Sequence, residues 1–248
     1  MDGRAKASGL SKIDTQRLKK AQKNVTLYYN FEKGKPLDTT KVAKHIAKKF
    51  GAEYLFGPEL FFGIKMSEKY PEHQIVLIKR SQGGMSLYGA WNPDWTLEKA
   101  TLMNEQKRPK LYNEFINYSK EVLSKLPNYE ICGMLWVQGE ADSGKRFGSK
   151  PANEYEANLK NLISKVRQEF NEASLPFLMF QVGGGNVVKG MKNVAKKDVN
   201  VVLIPQVQNK NSKFYFERNP PPIGHYITKS MKKIGEYFFS FYLENYSN

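Results

Sequence analysis

Cysteine is nearly absent. Cys132 is the only one in 248 residues. A single cysteine excludes an internal disulfide and any zinc site built on several cysteines. Histidine is scarce as well, and His45, His73 and His225 are far apart, outside any metal-ligand spacing. His45 falls in a lysine-rich stretch and His73 in a turn after Pro71, positions that suit solvated rings. No apolar run reaches the roughly 18–20 residues that a bilayer-crossing helix needs. Met1 to Lys23 has no apolar stretch of the signal-peptide kind. Acidic residues are the minority charge, 24 against 39 basic ones, for a formal charge of +15.

The basic excess invites a nucleic-acid reading. The lysines are scattered, however, and pairs such as Lys19-Lys20, Lys48-Lys49, Lys196-Lys197 and Lys232-Lys233 read as solvated faces. No helix-turn-helix, zinc-finger or RNP-like segment accompanies them, so no nucleic-acid partner is expected. What is abundant is apolar and aromatic material, 40% and 13% of residues, enough for a globular core.

Hydrophobic periodicity alternates between strand and helix. Short apolar runs at Val25 to Tyr29, Gln74 to Lys79, Glu130 to Val137, Pro176 to Val182 and Val199 to Ile204 predict strands, several of them buried on both faces. Between them, helices are predicted at Asp38 to Phe50 with Gly51 as its stop, Lys110 to Leu126, Asn153 to Phe170 and Thr228 to Tyr246. This order predicts βαβ units: an α/β fold, a three-layer α/β/α sandwich with a mostly parallel sheet, in one domain over residues 1–248. Ligands are then expected beyond the carboxyl ends of the strands, in the loops Arg80 to Tyr88, Gln138 to Ser149, Gly183 to Gly190 and Pro205 to His225.

Two of these loops imitate phosphate-binding motifs. Gly139-Glu-Ala-Asp-Ser-Gly144-Lys145 begins like a P-loop, but Arg146 stands where Ser or Thr must hold magnesium. Glu140 and Asp142 would also face the phosphates. Gly183-Gly184-Gly185 lacks the third glycine of a dinucleotide fingerprint, because Val188 is there, and reads as a flexible loop. The segment Leu135 to Asp142 is the richest. Gln138 can donate to an oxyanion, and Glu140 can accept the Nδ1 proton of a histidine. In the loop Lys79 to Leu87, Gly83 and Gly84 allow a backbone N–H to approach a ligand closely. His225, after the Pro220-Pro221-Pro222-Ile223-Gly224 run, is placed to work at the sheet's carboxyl edge.

Taken in order, these stretches resemble the sialate O-acetylesterase-like carbohydrate esterases, carbohydrate esterase family six of the SGNH hydrolases. Gly57-Pro58-Glu59-Leu60 is similar to that family's GPEL-type helix start, and Lys79 with Gly83-Gly84 to its K-x-x-x-GG block. Trp136-Val137-Gln138-Gly139-Glu140-Ala141-Asp142 resembles its W-x-QGE-x-D block. Tyr155, Leu159, Leu162 and Arg167 fit the following helix, and Gly224-His225-Tyr226 with Ile234-Gly235 fit the final histidine block. The resemblance implies an SGNH-type (flavodoxin-like) fold and a Ser-His-acid esterase that removes acetyl groups from sugars without a cofactor. It implies His225 as base, Glu140 as orienting acid, and Gln138 and Gly84 as oxyanion donors. Gly83, Asp142 and Trp91 would stand at the substrate.

Two departures accompany the same resemblance. The family's nucleophile lies in a GQSN-M-x-G block at the end of the first strand, and Met1-Asp2-Gly3-Arg4 looks like the tail of that block. The serine and first strand are therefore expected upstream of Met1. Many relatives also carry Asp three residues before the histidine, where this chain has Pro222. That shifts the acid to Glu140, with Asp142 second. Ser81 and Ser86 flank the glycine block but stand in no strand-to-helix nucleophile turn. A non-catalytic relative that binds glycans, stacking sugars on Trp91 and Trp95, is the competing expectation.

Overall fold

The computed structural model describes residues 3–221 and 223–246. The chain forms two compact units, one from Met1–Lys79 with Gln206–Asn248, the other from Arg80–Pro205.

The first unit begins with β1 (Ala5–Lys6) and a 3-10 turn, then α1 (Lys12–Ala21). Ser11 caps α1 reciprocally with Asp14, each side chain accepting the other's backbone N–H. Then come β2 (Val25–Tyr29), β3 (Lys35–Pro36), β4 (Thr40–Lys41), α2 (Lys44–Phe50), β5 (Tyr54–Phe56), α3 (Glu59–Lys69) and β6 (Ile75–Lys79). β2 and β6 run parallel in register from Val25↔Ile75 to Tyr29↔Lys79, and β3 lies antiparallel on β2. β5 pairs antiparallel with both β1 and β4.

Two expectations are corrected here. The helix expected from Asp38 starts only at Lys44, because Thr40 and Lys41 pair with Leu55 and Tyr54 instead. Asp38 caps only its neighbour, accepting the N–H of Thr39 at 2.7 Å. Gly51 ends the helix as expected, in the left-handed region at φ +62°. β6, expected to be buried on both faces, is half-buried at all five residues.

The second unit contains α4 (Leu97–Leu102), α5 (Leu111–Leu123), β7 (Met134–Trp136), α6 (Lys150–Asn153), α7 (Tyr155–Phe170), β8 (Phe177–Phe180), α8 (Gly185–Lys197) and β9 (Val201–Ile204). β8 is the middle strand, parallel to β7 on one side and β9 on the other, and all four of its residues are buried. Leu159, Leu162, Ile163 and Val166 supply the inward face of α7, at about 1.5–3 kcal/mol for each large aliphatic side chain removed from water. Of the glycine run expected as a flexible loop, Gly183 and Gly184 precede α8 and Gly185 is its first residue. Val187, Met191 and Val194 recur at helical spacing and are all buried, so the segment after Gly184 gains an apolar face by coiling.

α9 (Thr228–Tyr246) returns the chain to the first unit and packs on α3. It buries Met231, Ile234, Phe238 and Phe239. Gly235 lies at the crossing, where a Cβ would collide with the Pro58 carbonyl oxygen. That contact explains why a side-chain-free residue stands in mid-helix despite its conformational cost of about 1 kcal/mol. The chain is thus α/β, with open sheets whose longer ladders are parallel.

Candidate active site

In the second unit, the loop after β7 and the segment beyond Arg80 are tied together by Gln138 and Asp142. Asp142 is 1% exposed. Its carboxylate accepts from Leu87 N at 2.9 Å, Tyr88 N at 2.8 Å and Gln138 Nε2 at 2.5 Å. Burial is the largest influence and pushes its pKa up to about 6; the three donors pull it down, and the nearby Glu105 charge adds to the rise. Gln138 Nε2 also donates to Met85 O at 3.1 Å. The Tyr155 hydroxyl donates to Gln138 O at 2.7 Å and to Oε1 at 3.3 Å. Burial holds that phenol well above its usual pKa, so it stays a donor. The Gln138 amide therefore has partners for its NH₂ and its oxygen, and oxyanion donation from it requires one NH₂ bond to be exchanged.

Gly83 and Gly84 form an exposed turn directly before this captured segment. Gly84 has φ +77°, and a Cβ built there meets nothing within 4 Å. Conformation rather than crowding favours glycine at this position. Glu140 is exposed at the end of the β7 loop, where its backbone carbonyl accepts from Ser143 Oγ at 3.0 Å. Gly139 beside it packs so closely on Val187, Met191 and the Val182 carbonyl that a side chain would have contacts of 3.0–3.1 Å.

Trp91 is 6% exposed and packs edge-on against Trp136 with ring centroids 5.2 Å apart, and against Phe115 at 6.2 Å. Its ring lies inside an aromatic cluster, so stacking on a sugar requires that cluster to open. Trp95 is half-buried, with Lys110 Nζ 3.9 Å from its ring centroid. Ser86 is fully buried, its hydroxyl donating to Glu105 Oε2 at 3.0 Å and accepting from Gly89 N at 2.8 Å. That occupied interior hydroxyl is no stand-in for a nucleophile. Ser81 is buried too.

In the first unit, His225 is half-buried, with its ring 5.2 Å from Phe50 in an edge contact. Asn219 fixes its backbone, donating to the His225 carbonyl from N at 2.7 Å and from Nδ2 at 3.0 Å. The next residue, Tyr226, is pinned by Arg218 on one side and Gln206 on the other. Pro222, Met1 and Asp2, which figure in the sequence argument, lie outside the described residues. Within this unit the GPEL stretch meets Lys79: Lys79 Nζ pairs with Glu59 Oε1 at 2.8 Å, and the same oxygen accepts from Gly57 N at 3.1 Å. Among the described residues, no three His, Cys, Asp or Glu side chains are grouped to hold a metal. No described helix is long and apolar enough to cross a membrane.

A model of the family described as "Carbohydrate esterase, sialic acid-specific acetylesterase" matches residues 1–244. The chain belongs to that family. Solved structures agree with this family member in fold. A protein from Arabidopsis thaliana is similar with a TM-score of 0.63 at 21% identity, over 90% of this chain and 82% of its own. A carbohydrate acetylesterase from Xanthomonas citri is similar with a TM-score of 0.62 at 16% identity. This family member aligns over 99% of its own residues but spans about half, 54%, of the Xanthomonas chain. No protein of curated function matches the sequence.

Sequence reasoning missed Glu105. Nothing local marks it: it stands after Asn104 in a polar stretch outside every motif, and its role emerges only from the fold. The hydroxyl of Tyr155 was missed too, since the resemblance gave that residue a place in a helix but no partner.

Proposed function

We propose that this chain is a carbohydrate O-acetylesterase that works by a Ser-His-acid mechanism on sialate- or xylan-type acetyl esters. Residues 1–248 are read as one SGNH-type esterase domain, with the nucleophilic serine in a block preceding Met1. The serine oxygen attacks the acetyl carbonyl while His225 takes its proton. Glu140 holds the imidazole in the accepting tautomer, and Asp142 is the second candidate for that role. Gln138 and the Gly84 N–H face the oxygen as it becomes negative. The sugar oxygen leaves with the proton from His225, and water then releases acetate from the serine by the same steps in reverse order. Gly83, Asp142 and Trp91 shape the substrate side of the loop, and no cofactor takes part.

The observation that carries this reading is the bond from Gln138 Nε2 to Met85 O at 3.1 Å. It ties the two stretches from which the oxyanion donors would come, the QGE loop and the Gly83-Gly84 turn. The test is to read the codons in frame upstream of Met1, express the longer chain and measure acetate release from O-acetylated sugars. Finding an apolar strand followed by Gly-Gln-Ser-Asn, with His225→Ala lowering kcat by about 10³-fold or more, is the expected result. No such block upstream, or an indifferent His225→Ala, overturns the assignment. Glycan binding without turnover would favour a non-catalytic relative instead.

A further inference from the structure

Every backbone N–H from Ser86 to Ala90 points at a side-chain oxygen. Ser86 N donates to Glu105 Oε1 at 2.8 Å, and Ala90 N to Glu105 Oε2 at 2.7 Å. Between them, Leu87 N and Tyr88 N donate to Asp142, and Gly89 N to Ser86 Oγ. Consecutive N–H groups turned inward form a concave anion receptor. Here the anions are two of the protein's own carboxylates, and Glu105 is only 3% exposed. Gly89 has to be small, because a Cβ there would overlap Glu105 Oε2.

This receptor begins two residues after Gly84. The Gly83-Gly84 turn is exposed, and nothing packs where a Gly84 side chain would be, so it has little packing of its own to set its geometry. The segment on its C-terminal side is rigidly held. Met85 O takes Gln138 Nε2, and Ser86 is clamped through both N and Oγ by Glu105. Glu105 thus fixes both ends of the segment and Asp142 its middle, and Asp142 also holds Gln138. Burial raises the pKa of Glu105, and the N–H groups of Ala90 and Ser86 with the Ser86 hydroxyl oppose that rise.

We propose that Glu105 is a positioning residue for acetyl transfer: it sets the aim of the Gly83-Gly84 turn and of Gln138 through the amides of residues 86–90, without touching substrate. This inference rests on the esterase reading above. Glu105→Gln keeps the side chain's shape but turns an NH₂ group toward the N–H of Ser86 or Ala90. A displacement of about 1 Å in a transition-state donor costs about 10²-fold.

The experiment compares wild type, Glu105→Gln, Ser86→Ala and Val166→Ala in the chain that includes the upstream codons. Hydrolysis of 4-nitrophenyl acetate, melting temperature and amide hydrogen exchange are measured on each. The expected result for Glu105→Gln is a kcat lower by about 10–100-fold, an essentially unchanged KM, and faster exchange at residues 86–90. Ser86→Ala, which removes only the hydroxyl bridge, should lose about 2–10-fold in kcat and remains informative if Glu105→Gln does not fold. Val166→Ala cuts the α7 core, so it should lower the melting temperature and leave kcat in place. Unchanged kcat in Ser86→Ala and in any folded Glu105→Gln, or a loss confined to KM, overturns the positioning role while leaving the esterase reading intact. A wild type that releases no acetate or nitrophenol removes the esterase reading, and this role with it.

Discussion

Gln138 and Asp142 stand four residues apart in one loop and share a 2.5 Å hydrogen bond from Nε2 to Oδ2. The amide that the family resemblance assigns to an oxyanion is thus also the brace for a buried carboxylate. Gln138→Ala removes both functions together. Asp142 loses one of three donors, and Met85 O loses its side-chain donor. The variant should therefore lose about 1–3 kcal/mol of stability. In an active chain it should also lose about 10²–10³ in kcat with little change in KM. Melting temperature and kinetics on one preparation check this. A less stable variant with normal kcat would confine Gln138 to bracing.

The Asp142 carboxyl makes a pH-dependent prediction. Its pKa in the fold, about 6, lies above the ordinary 3.8. The folded state therefore holds the proton more tightly than the unfolded chain. Asp142's contribution to stability is fully present below the unfolded value and is lost as pH rises through about 6. Asp142→Asn cannot ionise, so the wild type should lose stability relative to it between about pH 4 and 6. Denaturant unfolding of both proteins across that range checks the sign. Kinetics on the same pair also separate the two candidate acids. Glu140 is exposed and Asp142 is enclosed by donors, so Glu140→Gln should lower kcat by orders of magnitude if it orients His225. A mild Glu140→Gln beside a crippled Asp142→Asn moves the acid to Asp142.

Gly84→Ala tests the turn without adding bulk against anything. At φ +77° with open space around the Cβ position, the substitution should cost about 1–2 kcal/mol of strain. Gly84→Asn, which tolerates the left-handed region better, should recover part of it. If thermal unfolding shows Ala and Asn equally harmless, the turn relaxes and its conformation is not fixed.

The strands around Leu77, Leu135, Met179 and Val202 were legible because continuous apolar runs leave few alternatives to a sheet interior. α7 and α9 were legible from their periodic stripes. α2 was misjudged at its start because a two-residue pairing with β5 outweighs a local cap, and no local pattern reports it. α8 was misjudged because three glycines masked the Val187, Met191 and Val194 stripe behind them. In the candidate site, Gln138, Asp142 and the glycine pair were marked by motif. Glu105 was not, because its partners are backbone amides, and any sequence supplies those.

α9 has a consequence for the order of synthesis. The face of α3 that meets Gly235 is made early, and the helix that covers it is translated much later. All of Arg80–Pro205 lies between them. The second unit can therefore complete its core while still attached to the ribosome. The first must wait, with Phe61 uncovered by α9, until Thr228–Tyr246 has left the exit tunnel.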